Sequence, residues 1–139
     1  MQSKPDNSVS DTDATPMHLY EYAVVRYLPA VEREEFVNVG LVMMCKRRRW
    51  VRARIGLPRD LLRLMSPQAD IDAVAGQLAS FERIAAGTDD RIGSLDAHER
   101  FRWMTAVRSA CISTSRPHPG KTTDLDTTFD RLFDELVKR

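Results

Sequence analysis

Two carboxylates and a histidine are the side chains of this chain best suited to proton transfer. Glu34 and Glu35 open the stretch REEFVNVGLVMMC at residues 33–45, and His118 stands between two prolines in SRPHPG. A carboxylate with an imidazole makes a general acid–base pair, and Arg26 and Arg54 would bind an anionic substrate beside it. That reading, a small enzyme acting on an anionic substrate, requires the 33–35 and 115–120 segments to meet. A metal centre has less support, because His18, His98 and His118 lack ligand spacing with one another or with Cys45 or Cys111. Both cysteines fall in apolar runs and read as packing residues. No serine lies in a nucleophile-elbow context. Gly120-Lys121-Thr122 matches only the tail of a phosphate-binding loop. Ser115 stands where that motif needs a glycine, and Pro117 and Pro119 delete N–H donors. We expect neither metal nor cofactor, and the balance leans away from catalysis.

Binding chemistry is better represented. If the strand before residue 29 and the strand after residue 35 form a hairpin, Arg26 lies opposite Asn38. Arg52 and Arg54 of a third strand share their parity. One sheet face then gathers Arg26, Asn38, Arg52 and Arg54, with Glu34 and Glu35 at its rim and Gly40 leaving room for an approach to the backbone. A mixed-sign face of this kind suits oriented protein docking better than a polyanion, because its carboxylates repel phosphate. The bland alternative is cross-strand ion pairing on a solvated face, with glycine at a bulge. A second candidate is CKRRRWVRAR. Lys46, Arg47, Arg48, Arg49, Arg52 and Arg54 surround Trp50, the combination of phosphate neutralisation and base stacking that single-stranded nucleic acid uses. Basic side chains also protect exposed hairpins and edge strands. Net charge is +1, so no global basic field adds to this cluster.

Those residues need a scaffold. Leu19–Leu28 is aromatic and β-branched up to Pro29. Phe36–Cys45 is apolar at Val37, Val39, Leu41, Met43 and Cys45, and Trp50–Leu57 alternates. Short connections make these an antiparallel meander. Keeping odd positions opposite odd positions predicts a connection of three or five residues between the second and third strands. A four-residue turn would set Cys45 opposite Trp50 and send the arginines to the core face. A short helix follows Pro58. Ser66 and Pro67 read as the start of a helix over 67–86 that Gly87 stops. Asp96 with Glu99 caps a helix over 97–107. ACIST at 110–114 reads as a fourth strand, and the segment after it as a loop. A final helix over 126–138 carries Phe129, Leu132, Phe133, Leu136 and Val137 on one stripe, and Trp103 is expected to pack against it.

The predicted class is α+β: an antiparallel β-meander plus a fourth strand, with the helices packed on one face. Residues 1–16 are polar, lack aromatics and read as a disordered leader, which leaves 17–139 as one domain. No apolar run is long enough to span a membrane, no signal-peptide pattern opens the chain, and two thiols outside any Cys-x-x-Cys spacing point to the cytoplasm.

The stretch YEYAVVRYLPAVEREEFVNVGLV near the start, with RFRWMTAVRSACISTS, HPG and DRLFDELV near the end, resembles the bacterial domain of unknown function 3037 family over about residues 20 to 137. Val107 departs from that pattern, where proline is expected. The resemblance implies a small bacterial protein with no established activity. Members are often encoded beside a kinase-like protein similar to the HipA toxin kinases, which implies such a kinase as a partner in a toxin–antitoxin-like arrangement. Our reading is a non-catalytic interaction module, with nucleic-acid binding through residues 46–54 as an alternative.

Overall fold

A computed structural model describes residues 16–30, 35–106, 109 and 111–138. Glu34, Val107 and Arg108, and the expected leader up to residue 15, lie outside them. The chain runs β1 (His18–Ala30), β2 (Glu35–Cys45), β3 (Trp50–Ile55), α1 (Arg59–Met65), α2 (Ile71–Ala86), α3 (Ala97–Thr105), β4 (Ile112–Thr114), β5 (His118–Thr122) and α4 (Leu125–Leu136). All pairings are antiparallel. β1 is flanked by β2 and β3 on one side and by β4 and β5, end to end, on the other. This is the α+β architecture read from the sequence.

One residue decides how the sheet faces its helices. Val25 lies opposite Gly40, but Arg26 lies opposite Asn38, so Val39 is an extra residue on β2 and forms a β-bulge. Before the bulge, Val37 and Val39 enter a core with Leu62, Val74, Leu78, Phe81, Phe101 and Met104 from α1 to α3. After it, Val42 and Met44 continue into that core. Leu41, Met43 and Cys45 instead enter a second core with Leu125, Phe129, Leu132, Phe133 and Val137 of α4. Strand side chains alternate between faces, so α4 lies on the face opposite α1–α3.

This corrects the expectation of helices on one face only. β2 is apolar at nearly every position because both its faces are covered, a pattern that strict alternation does not describe. The turn between β2 and β3 is corrected with it. Cys45 is opposite Trp50, so the connection is the four-residue turn Lys46–Arg49 that parity appeared to forbid. Arg49 closes it with φ 51° and donates its backbone N–H to Lys46 O at 3.1 Å. The arginines of β3 do share a face with Leu41, Met43 and Cys45, but that face meets α4.

The helix starts follow local chemistry. α2 begins at Ile71 rather than 67. Asp70 is its cap and accepts the Ala73 N–H at 3.1 Å, while Ser66 ends α1 with its own N–H on Leu62 O. Gly87 at φ 78° stops α2 as read. Glu99 accepts the Asp96 N–H at 3.3 Å, the reciprocal half of a capping box at the start of α3.

The segment read as a loop after residue 114 contains β5. Ser115 makes the passage from β4: its N–H donates to Val24 O at 2.8 Å and its Oγ accepts the Val24 N–H at 2.9 Å. A hydroxyl thereby stands in for a carbonyl where the strand breaks, and the chain resumes along β1 with Pro119 opposite Glu21 and Gly120 opposite Tyr20. Proline is tolerated because this is the outer edge of the sheet. The Tyr20 ring covers Gly120 so closely that a Cβ there would lie 2.4 Å from it.

Candidate functional site

The polar sheet face expected to be a docking surface is in large part the seat of α4. Asn38 donates its Nδ2 to Leu136 O at 3.0 Å, fixing the C-terminal turn of α4 to β2. Arg52 reaches Asp126 at 3.1 Å and Asp130 at 3.8 Å, and Arg54 reaches Asp130 at 3.1 Å. The guanidinium carbons of Arg52 and Arg54 lie 4.7 and 5.1 Å from the centre of the Phe129 ring. Stacking fixes the two planar groups over the helix, and each ion pair adds about 1 kcal/mol or less at this exposure.

Gly40 is not on that face. A Cβ there would meet Ile55 Cδ1 at 2.7 Å and Val25 Cβ at 3.3 Å, both members of the α1–α3 core. Its missing side chain is space already filled by Ile55, not an opening for a ligand. The bulge explains the change, since it turns residues 39 and 40 to the same side.

Arg26 is different. It projects on the α4 face between Asn38 and Ser113, its partners on the two neighbouring strands. Its guanidinium carbon lies 4.2 Å from the centre of the Phe36 ring, and Phe36 is 48 % exposed. Among the described residues no carboxylate pairs with Arg26, and its buried Nε has no hydrogen-bond acceptor. Glu35 stands beside Phe36, opposite Ala30 at the end of β1.

Glu35 and His118 are not brought together. His118 is opposite Tyr22 and stacks at 5.2 Å from its ring, whereas Glu35 is opposite Ala30. Eight residues of extended β1 separate those positions, roughly 25 Å at the rise of a strand. Proton transfer needs hydrogen-bond reach or one bridging water. No group of three His, Cys, Asp or Glu side chains among the described residues could hold a metal ion.

The basic hairpin divides into two parts. Lys46, Arg47, Arg48 and Arg49 are exposed in the turn, while Arg52 and Arg54 hold α4. Trp50 is half-buried and meets Phe129 edge-on at 6.3 Å. Trp103 is 50 % exposed on α3 and does not pack on the last helix, which lies across the sheet. Its neighbours are structural: Arg100 donates to Ile84 O, Ala85 O and Leu95 O, and Arg102 clamps Glu21 through two bonds of 2.9 and 2.7 Å.

The ionisations the fold displaces belong to such contacts. The Arg102 hydrogen bond holds the Glu21 carboxyl below its usual range. The backbone N–H groups of Thr127 and Arg91 do the same for Asp124 and Asp89. Burial pushes the Tyr27 phenol up.

The sequence features aligned on this scaffold run the length of β1 through α4. Residues 22–137 match the family described as Protein of unknown function (DUF3037). The chain belongs to that family. No curated protein and no solved structure matches it. Among the described residues no helix is long and apolar enough to cross a membrane.

Proposed function

We propose that this DUF3037 protein is a non-catalytic, cytoplasmic docking module that engages a protein partner through the Arg26–Phe36 surface just beyond the C-terminal end of α4. The observation that carries the reading is the Arg26 guanidinium, stacked on a half-exposed aromatic ring and lacking a carboxylate partner among the described residues. Stacking pre-orients the planar fork and lowers the entropy lost when a carboxylate pairs with it. Binding energy in protein interfaces concentrates in a few residues, among which arginine and large aromatics are enriched. Glu35 at the rim disfavours a polyanion and favours a partner carrying both signs.

The partner this reading names is the kinase-like protein, similar to the HipA toxin kinases, that the family resemblance implies. Co-purification of the chain with the kinase-like product of its neighbouring gene tests the pairing. The expected result is a stable complex that Arg26→Glu weakens by at least about 30-fold, a loss of roughly 2 kcal/mol at a stacked, charge-paired position. Phe36→Ala should weaken it as well, with the melting temperature of the free protein held. Absence of any complex with the unmutated pair defeats the partner assignment. Full affinity in both variants removes this surface from the interface.

A further inference from the structure

The turn Lys46–Arg49 lies at the other end of β2 from Phe36, and nothing in the docking reading uses it. Its four side chains are consecutive, basic and exposed, and none pairs with a carboxylate among the described residues. The other arginines of β3 are tied down by Asp126 and Asp130. Arg49 also holds φ 51°, a conformation that glycine or asparagine takes with less strain. The turn keeps a fourth positive charge in a strained backbone position.

Lys46 and Arg49 line, with Asp96, Ala97 and His98, a cavity of about 210 Å³ at the start of α3. The Asp96 carboxylate on its wall opposes an anion entering it, which leaves the outer side of the turn as the place for one. Trp50, the aromatic group that would stack an unpaired base, is half-buried against Phe129. Single-strand recognition depends on such a platform, whereas a duplex backbone requires only closely spaced cations against closely spaced phosphates.

We propose that the Lys46–Arg49 turn binds the phosphate backbone of a nucleic-acid duplex, without reading its bases. Fluorescence anisotropy with a labelled 20-base-pair duplex, from 50 to 200 mM KCl, tests it on the full chain. Four neutralised phosphates give a slope of log affinity against log salt of about −3.6, so affinity falls roughly 150-fold across that range. Arg47→Ala with Arg48→Ala should bring the slope to about −1.8, a fall of roughly 12-fold. Removing two charges elsewhere, Arg63→Ala with Arg116→Ala, should leave the slope unchanged. Arg49→Gly relieves the strained backbone, so it should raise the melting temperature while flattening the slope by about one. That opposite movement separates binding from folding.

DNA and RNA duplexes of the same sequence are compared directly, and binding of either supports the proposal. No duplex binding at 50 mM KCl, tighter binding of the matching single strand, or equal loss from the distant arginine pair overturns it. So does capture by anionic vesicles without duplex binding. None of these results depends on the kinase-like partner or on Arg26.

Discussion

Asn38 and Gly40 interrupt the same apolar strand for unrelated reasons. The amide supplies a donor to a helix carbonyl on one face, and the glycine admits Ile55 on the other. Gly40→Ala should therefore destabilise the protein by about 1–3 kcal/mol through overpacking. Gly76, on the exposed side of α2, has nothing within 4 Å of where a Cβ would stand, so Gly76→Ala should add about 0.5–1 kcal/mol. Chemical denaturation of the two variants reads both signs. Glu21 carries a pH prediction. Its carboxyl is held below the usual carboxylate range by the Arg102 hydrogen bond, so the pair contributes fully above the unfolded value and loses its contribution as pH falls through the folded one. Both side chains are partly exposed, so screening keeps the effect below about 1 kcal/mol. An NMR titration should show the Glu21 midpoint depressed in the wild type and restored towards the ordinary carboxylate range in Arg102→Ala.

At the scale of elements, Ser115 decides whether β4 and β5 behave as one edge. Ser115→Ala leaves the buried Val24 N–H without its acceptor, a cost of about 1–3 kcal/mol. Hydrogen exchange should show faster exchange at Val24 and along β5. The strands, the capping box at Asp96, the stop at Gly87 and the stripe of α4 were legible because each rests on local chemistry: alternation, a short side-chain reach, or φ above zero. The pairing of Arg26 with Asn38 was legible too. What was not legible followed from Val39. A bulge beside Gly40 was one reading of that glycine and is present, but hydrophobicity alone does not show that the extra residue is Val39, which reverses the parity of everything after it. The face of α4, the side of Gly40 and the length of the 46–49 turn all changed together for that reason. β5 was hidden differently, because Pro117 just before it and Pro119 within it read as a loop unless the strand is known to be an edge. The separation of Glu35 from His118 depended on that hidden pairing, so residue type alone could not show it.

At the scale of the molecule, α4 closes the second face of the sheet, and two chemically distinct surfaces are left at opposite ends of β2: the stacked Arg26 and the basic turn. The sheet also has two outer edges, and these carry a further consequence. On β3, the Ile55 N–H is taken by Glu82 Oε2 at 3.0 Å from α2. On the far side, Pro117 and Pro119 withhold N–H groups where β4 passes into β5. A strand offered by another copy of the chain meets a carboxylate at one border and missing donors at the other. Glu82→Ala should free the first border, and agitated samples of that variant should form thioflavin-positive fibres sooner than the wild type. Crowding in a cell then acts on a protein whose sheet resists growing by recruitment at either border.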